Sequence, residues 1–437
     1  MIKKIGFAIV CLATFGMNAQ DGTVSPYSYF GVGELRSATT VENQMMGGIG
    51  VYTDSIHVNL QNPAAYADLG LQVGETFSIT TYTAGISYKQ LTLRSAQAAE
   101  SSRVTNIDYL SLAFALRKGL GVGFGIMPFS SVGYNLESVT ERNDGNGETS
   151  LVTNRFSGSG GLNRVYGSIG WSITKNLNIG VTANYNFGTL DNQRTQLVEN
   201  VQFATFDNRT SIINGLDLNY ALSYAPVINK KYTLFTSLRV NTQANLSARN
   251  SQEIGSVVSD PSSPAVGTQA EVIEVNLEAR GLRETGLKIP TTTTLGLGFG
   301  RDRKWFLGGE YSFQALGEFS NPFLVVDNLV YQDASTIALG GFYIPDYASF
   351  KYLQRITYRA GIRAQNTGMI VSGREINNFG ITFGVGLPLG RSLSNINLGF
   401  EFGKGGTTDQ NLIEEGYFKV NIGLSLNDQW FRKAKIN

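Results

Sequence analysis

The chain has 437 residues, with 35 Lys and Arg against 34 Asp and Glu, one cysteine and one histidine. This balance excludes the basic field that nucleic-acid binding requires, so no nucleic-acid partner is expected. A single cysteine excludes a disulfide framework. Gly (51), Tyr (20) and Phe (25) are abundant while only 16% of residues are charged, which is typical of a membrane β-barrel.

Residues 1–19 read as a secretory signal peptide. Lys3 lies in a basic start, residues 5–17 form an apolar core too short to span a bilayer as a helix, and small residues follow at the end. Cys11 leaves a lipoprotein as the alternative, but Val10 is bulky where lipidation needs a small residue. We therefore expect a chain that is exported and cleaved after residue 19.

Beyond residue 71 the sequence alternates with a period of two. In YFKVNIGLSL, one set is aliphatic or aromatic and the other is polar or glycine. The first set is Phe418, Val420, Ile422, Leu424 and Leu426; the second is Tyr417, Lys419, Asn421, Gly423 and Ser425. The pattern recurs in NLNIGVTANYNFG, INLGFEF and RITYRAGIRA. Strands of about ten residues with one apolar face and one polar face predict an antiparallel outer-membrane barrel over residues 71–437.

The connections alternate between tight and long, as in outer-membrane barrels. Tight turns are predicted at 117–121, 174–178, 227–233, 300–305 and 389–395, and long polar loops at 137–150, 247–288, 315–334, 365–377 and 404–415. Between two tight turns, strands are predicted at 304–314, 335–344, 354–364 and 377–387. Continuing in both directions gives about fourteen strands, the first within 72–92.

Three tryptophans map to the side of the tight turns. They are Trp171, Trp305 and Trp430. Aromatic residues form girdles at membrane interfaces. We therefore expect these three side chains to lie at one membrane interface. The barrel as a whole is expected in the outer membrane of a Gram-negative bacterium, in contact with lipid and lipopolysaccharide.

Residues 20–70 do not alternate and are too few for a sizeable core of their own. We expect this N-terminal segment to pack inside the barrel as a plug. The residues predicted to shape the plug are Gly47, Gly48, Gly50, Asn62, Pro63 and Ala64. The glycines would allow close backbone approach, and Asn62-Pro63 would turn the chain toward the first strand.

Four stretches resemble the FadL/TodX family of outer-membrane transporters for hydrophobic compounds. They are Asn62-Pro63-Ala64-Ala65, GVGFGIMPF at 121–129, IPTTTTLGLGFGRDRKWFLGGEY at 289–311, and STIALGGFYIP followed by ITYRAGI. The resemblance implies a fourteen-stranded barrel with an N-terminal hatch and passive uptake of fatty acids or aromatic hydrocarbons. Ala65-Tyr66 replaces the family's usual Gly-Leu, and SPYSYFGVGEL at 25–35 has no match in the family.

Catalytic and metal-binding chemistry has little support, so we expect no enzyme, no metal site and no cofactor. His57 is the only histidine, and the barrel supplies no second one for a protease or phospholipase mechanism. Asp144, Asn146 and Glu148 alternate as calcium ligands can, but the rest of an EF-hand loop is missing, which favours a plain exposed loop. The glycine runs lack the spacing of phosphate-binding loops.

Two features of the barrel wall allow more than one interpretation. Pro128, followed by Phe129, cannot donate to a strand ladder, so it marks a bulge, a strand end or a side opening for an apolar solute. Arg359, Arg363 and Lys419 point to the lumen by alternation. They would hold the carboxylate of a ligand or pair with acidic residues of the plug.

The sequence therefore predicts a passive channel for hydrophobic molecules, gated by the plug. An accessory barrel in an outer-membrane complex for secretion, assembly or surface-protein attachment is the alternative, favoured by the polar loops and the unmatched 25–35 piece. A soluble secreted β-protein is a third reading and would need the apolar faces to form a core.

Overall fold

The computed structural model describes residues 22–70, 72–73, 76–77, 80–143, 149–258, 269–326, 328–390 and 393–428. The predicted signal peptide, Trp430 and the candidate calcium loop at 144–148 lie outside these residues. The described chain forms fourteen wall strands, two of them interrupted. They are β1 Thr80–Arg94, β2 Ala99–Arg117, β3 Leu120–Asn143, β4 Thr149–Ser172, β5 Leu177–Val198, β6 Phe203–Tyr224, β7 Tyr232–Asn241 with Ala244–Val258, β8 Gln269–Glu274 with Glu284–Ile289 and Thr292–Arg301, β9 Trp305–Gln314, β10 Ala334–Tyr343, β11 Thr357–Val371, β12 Arg374–Pro388, β13 Asn395–Gly406 and β14 Glu414–Asp428.

The strands pair antiparallel in chain order and close when β14 pairs with β1, from Glu414↔Arg94 to Asp428↔Thr80. Closure gives the wall strands neighbours on both sides, except where β2 and β3 separate beyond Leu110 and Ile126. The prediction of an all-β antiparallel barrel of fourteen strands is confirmed. No described helix is long and apolar enough to cross a membrane.

The alternation of polar and apolar residues matches which side chains face the lumen and which face outward. On β14, Asn421 and Ser425 are buried inside the barrel while Ile422 and Leu426 are exposed on the outside. β5 repeats the pattern, with Asn186 fully buried. Because successive side chains of a strand point to opposite faces, the apolar set faces lipid and the polar set faces the lumen.

Several wall strands are longer than predicted and include residues that were predicted to form loops. Much of the polar sequence expected as long loops is strand: β3 and β4 run to Asn143 and from Thr149, and β11 and β12 are joined by a two-residue turn at 372–373. β3 to β8 therefore extend beyond the ten or so residues that cross a membrane. We call this extension, formed by the described parts of residues 132–160, 190–211 and 250–284, the wing. At its outer end, residues 137–143 of β3 are exposed on both faces, so the sequence there loses the alternation and resembles loop sequence.

The N-terminal segment has short elements: 3-10 helices Pro26–Tyr29 and Pro63–Asp68, helix Val41–Gln44 and strand Glu34–Leu35. The first wall strand is shorter than predicted, because Gln72–Val73 and Thr76–Phe77 pair with each other instead of extending it. The remaining short elements are Val227–Ile228, Glu278–Arg280, Leu316–Glu318, Leu329–Tyr331, Tyr352–Arg355 and Asp409–Asn411.

Candidate functional site: the barrel lumen and a seam in its wall

The N-terminal segment is bonded to luminal side chains from several sides of the barrel. The Gly47 amide donates to Thr382 Oγ1 on β12 (3.0 Å), and the Gly50 amide donates to Glu310 Oε1 on β9 (2.9 Å). Asn62 Nδ2 donates to Ser223 Oγ on β6 (3.0 Å). Strands from different parts of the wall therefore hold one segment by its backbone and its polar side chains.

Glycines on both partners make this approach possible. Gly47 has a φ of +73°, and a Cβ added there would lie 2.7 Å from the carbonyl oxygen of Ile362. On the wall, a Cβ on Gly361 would lie 2.3 Å from the Gly47 amide nitrogen. Gly48 also has a positive φ, and a Cβ on Gly50 would meet the guanidinium of Arg239 at 2.6 Å. The segment thus passes the wall at backbone contact.

The Asn62-Pro63-Ala64 element begins a 3-10 helix. The Asn62 side chain caps it by accepting from the Ala64 amide (3.1 Å), and Pro63 occupies the first turn, where no amide donor is needed. Pro63 and Ala64 are buried against Gly180 of β5, where an added Cβ would lie 2.2 Å from the Pro63 carbonyl carbon. The predicted turn is therefore a capped helix seated on the wall.

The buried pair Arg239–Glu310 was missed by the sequence reasoning. Arg239 Nη2 binds Glu310 Oε2, and Arg239 Nη1 donates to Gln61 Oε1 (2.6 Å). Glu310 also accepts from Gly50, so one wall pair holds two points of the segment. The signal was present in the alternation, which puts both residues on luminal positions of β7 and β9.

The three predicted luminal cations lie in the lumen but have different partners. Arg363 Nη2 pairs with Glu401 Oε1 of the wall (2.8 Å), and Lys419 Nζ faces Asp108 Oδ2 at 4.0 Å. For these two, the expected acidic partner on the N-terminal segment is wrong. Arg359 donates to Asn397 Oδ1 (3.1 Å), whose amide donates in turn to Glu42 of the segment (2.8 Å).

A cavity of about 570 Å³, lined by both polar and apolar residues, remains between the segment and the wall. Its charged lining consists of six basic and six acidic residues, all in the described part of the chain: Arg36, Lys89, Arg164, Arg239, Arg363 and Lys419, and Glu34, Asp108, Asp217, Glu310, Glu401 and Glu415. Many of them pair with each other, such as Arg164 with Asp217 at 2.9 Å. The basic and acidic residues of the lining are therefore equal in number, so their formal charges balance.

The wall has a seam next to Pro128. In the described residues β2 pairs with β3 from Arg117↔Leu120 to Leu110↔Ile126 and no further. The pairing of β3 with β4 shifts by one residue between Pro128 and Ser130, so Phe129 forms a bulge. Of the outcomes predicted for Pro128, a bulge is therefore observed, and it coincides with the end of the β2–β3 ladder.

The N-terminal segment fills the start of this seam. Glu34 and Leu35 pair antiparallel with Ser131 and Ser130 of β3. The Arg36 amide donates to the Phe129 carbonyl oxygen (2.9 Å). Glu34 and Leu35 therefore act as a two-residue strand in the wall. They belong to the 25–35 piece that has no match in the FadL/TodX resemblance.

The two side chains of this strand have different surroundings, although both line the cavity in the lumen. Glu34 pairs with Lys89 of β1 at 3.2 Å, and Leu35 is exposed. Ser28 extends the contact, because its hydroxyl bonds the Gly133 carbonyl oxygen and amide at 3.2 and 3.1 Å. Sequence reasoning missed this closure, since two residues are too few for a strand signal.

His57 is hydrogen-bonded within the segment. Its Nδ1 lies 2.6 Å from Asp54 Oδ2, and its Nε2 lies 3.4 Å from the Asn395 amide nitrogen. Burial lowers the pKa of His57, but the carboxylates of Asp54 and Glu42 together raise it by more, so the pKa lies above the ordinary 6.5. In Asp54, burial raises the pKa, while His57 and the backbone amides of Ile56 and His57 together lower it by more. The pair stabilises the segment fully between about pH 4 and 6.5, and the stabilisation is lost as pH rises through the pKa of His57.

Asp54→Asn should lower the pKa of His57, because burial then disfavours the imidazolium without the Asp54 carboxylate to offset it. The chain has one histidine, so an NMR titration of its imidazole in detergent micelles, on protein without a histidine tag, gives the value directly. Thr53→Val, which removes a neighbouring bond to Asp68, is the control and should leave it unchanged. An equal pKa in Asp54→Asn and wild type would contradict the pairing.

The remaining predicted residues lie as follows. Trp171 is next to last in β4 and Trp305 begins β9, both beside short turns. Trp305 packs with Tyr232 and Phe299, at centroid distances of 6.4 and 5.8 Å. Their place at a membrane interface stays a prediction. Within the described residues, no three His, Cys, Asp or Glu side chains form a metal-binding group.

The fold is therefore a closed fourteen-stranded antiparallel barrel with a chain segment bonded into its lumen. The chain belongs to the BamG family, whose model matches residues 1–437. Solved structures with the same fold include the Pseudomonas putida toluene transporter TodX (14% identity, 92% of this chain and 100% of that chain, TM-score 0.53) and the Ralstonia pickettii toluene transporter TbuX (12%, 90% and 99%, 0.53).

A Pseudomonas aeruginosa FadL homologue is similar to the same degree (10% identity, 91% and 100% coverage, TM-score 0.55). Identities this low establish the fold alone. The FadL/TodX resemblance is therefore confirmed for the barrel architecture, while the family is BamG. No curated protein matches the chain.

Proposed function

We propose that this chain is a non-conducting accessory barrel of an outer-membrane complex that assembles or exports proteins. The observation that carries the proposal is the bonding of the N-terminal segment to the lumen from several sides. The barrel would lie in the outer membrane of a Gram-negative bacterium, surrounded by lipid and lipopolysaccharide. Membership of the BamG family favours protein partners in that membrane.

Moving the segment would be costly. The amides of Gly47 and Gly50 and the side chain of Asn62 would each lose a buried partner. A buried polar group left without a hydrogen bond costs about 1–3 kcal/mol. Several such losses together favour a segment that stays in place, which makes it a structural plug instead of a gate.

Paired charges in the cavity also disfavour the passage of a hydrophobic molecule. Its wall carries paired charges such as Arg363–Glu401 and Arg164–Asp217. An apolar solute in contact with them would strip water from charged groups without replacing its hydrogen bonds. The outer surface and the wing then remain as working surfaces, which suits a subunit that acts through contacts with other proteins.

Gentle detergent extraction followed by mass spectrometry of the native complex tests the proposal. We expect the barrel to be recovered with at least one other outer-membrane protein in a fixed ratio. As a control, the same extraction is repeated after a salt and strong-detergent wash that should separate the subunits. Recovery of the barrel alone, carrying a bound apolar small molecule, would contradict the proposal.

A passive channel for hydrophobic molecules is the second candidate, favoured by the seam. The cavity reaches Met127, Pro128 and Phe129, where the β2–β3 ladder ends. A solute could leave there into the membrane if the Glu34–Leu35 strand moved aside. In that case a Leu35→Cys/Ser130→Cys disulfide across this pair would abolish uptake of a fluorescent fatty acid, and reduction would restore it.

A further inference from the structure

We propose that the edge of β3 above the seam is a strand-acceptor site, which binds an extended segment of a partner protein by β-sheet addition. The inference rests on the proposed function, because it names the surface through which the accessory barrel holds its partner. The site consists of residues 135–141 of β3.

The edge beyond the seam has no strand beside it in the described chain. β3 continues to Asn143 and pairs with β4 along its whole length, but toward β2 its pairing ends at Ile126. Residues 99–109 of β2 likewise pair with β1 on one side and have no described strand on the other. Two strand edges thus face each other across a cleft.

The backbone groups that face this cleft belong to alternate residues. The Phe129 carbonyl oxygen and the Gly133 amide and carbonyl oxygen are already bonded by Arg36 and Ser28 of the N-terminal segment. By the period of two, the next groups in the same direction belong to residues 135, 137, 139 and 141. Open amides and carbonyls in a row are the template for addition of a strand.

Glu34–Leu35 shows that this edge accepts an antiparallel strand. It occupies two positions, opposite Ser131 and Ser130, and the open groups begin at residue 135, past Gly133, which Ser28 binds. A partner strand would extend the existing pairing along β3 without disturbing the β3–β4 ladder. This continuity with an existing contact is the argument for a strand as the occupant.

The side chains along this edge of β3 indicate which residue types a partner strand would carry. Past the Phe129 bulge, the even positions Val132 and Tyr134 are buried, and the odd positions Asn135 to Glu141 are exposed on the outer face. Val139 is 54% exposed, so its side chain is open to a residue on an added strand. Glu141 has no ion pair within the described residues, so a basic residue opposite it would be favoured.

A photoreactive amino acid at position 139 of the full chain, introduced in cells, tests the site. Irradiation should join it to one discrete partner protein. Position 254 is the matched control: Ile254 is also an exposed aliphatic residue of the wing, but β6 and β8 pair with both edges of its strand. Adducts to lipopolysaccharide alone, no adduct, or equal yields at the two positions would overturn the inference.

Val139→Pro provides a second measurement. It removes only the amide that faces the cleft, so β4 pairing is kept, and recovery of the partner should fall at least about tenfold while the barrel keeps its heat-modifiable mobility. Unchanged recovery would overturn the strand site. If the crosslinking or the proline experiment fails but a partner co-purifies with the wild-type barrel, the proposed function stands and only the strand-acceptor site is wrong. If no partner co-purifies with the wild-type barrel, the proposed function and the site are both wrong.

Discussion

Replacing Glu310 by alanine should release the N-terminal segment from its seat in the lumen. The change removes the acceptor of the Gly50 amide and leaves the buried guanidinium of Arg239 without its carboxylate. Breaking a buried ion pair from one side costs about 3–5 kcal/mol, which is at least about a hundredfold in the population of the released segment. Limited proteolysis of the folded protein measures that population.

Two variants accompany this measurement. Glu310→Gln keeps an oxygen for the Gly50 amide and loses the charge, so its effect should be intermediate. Glu375→Ala removes an exposed carboxylate at a hairpin end and should leave cleavage unchanged. Equal cleavage of Glu310→Ala and wild type would show that the Arg239–Glu310 pair does not hold the segment.

Gly180→Val should open the sealed lumen. A Cβ at this position would lie 2.2 Å from the Pro63 carbonyl carbon and 2.4 Å from the Ala64 amide nitrogen. Both are backbone atoms of the capped helix and cannot rotate away, so the helix must leave its seat. We expect discrete conductance steps in planar bilayers, where the wild type gives none.

Gly167→Val is the matched control on the neighbouring strand. A Cβ on Gly167 meets nothing within 4 Å, and the residue faces outward. This variant should fold and stay silent in the bilayer. Steps of the same size from both variants would mean that conductance arises from general damage to the wall, and silence of Gly180→Val would mean that the helix does not seal the lumen.

The barrel could be predicted because its signal is local and repeated. A membrane-crossing strand must put apolar residues toward lipid at every second position, so β5 and β14 show the rule directly. The wing could not be predicted in the same way. Residues 137–143 of β3 are exposed on both faces, so the predicted loop 137–150 shows no alternation although β3 and β4 pair in its described part.

The site was predictable only in part. The glycines and Asn62 were found because backbone contact and helix capping restrict residue type locally. The partners of Arg363 and Lys419 depend on which strands lie side by side in the lumen, which alternation alone does not give. The pairing of Glu34 with Ser131 joins residues far apart in the chain through two positions, too short for any periodic signal.

The central claim is that the N-terminal segment stays in place while the protein works. A Val41→Cys/Gly423→Cys disulfide would fix helix Val41–Gln44 to β14, since a Cβ on Gly423 lies 2.8 Å from that of Val41 and a shift of about 1 Å reaches disulfide geometry. The measurement is growth of cells that depend on the locked protein, with both single variants as controls. The account predicts that the oxidised, locked protein supports growth as well as wild type. Failure of the locked protein, with recovery on reduction, would contradict it and identify the segment as a moving gate.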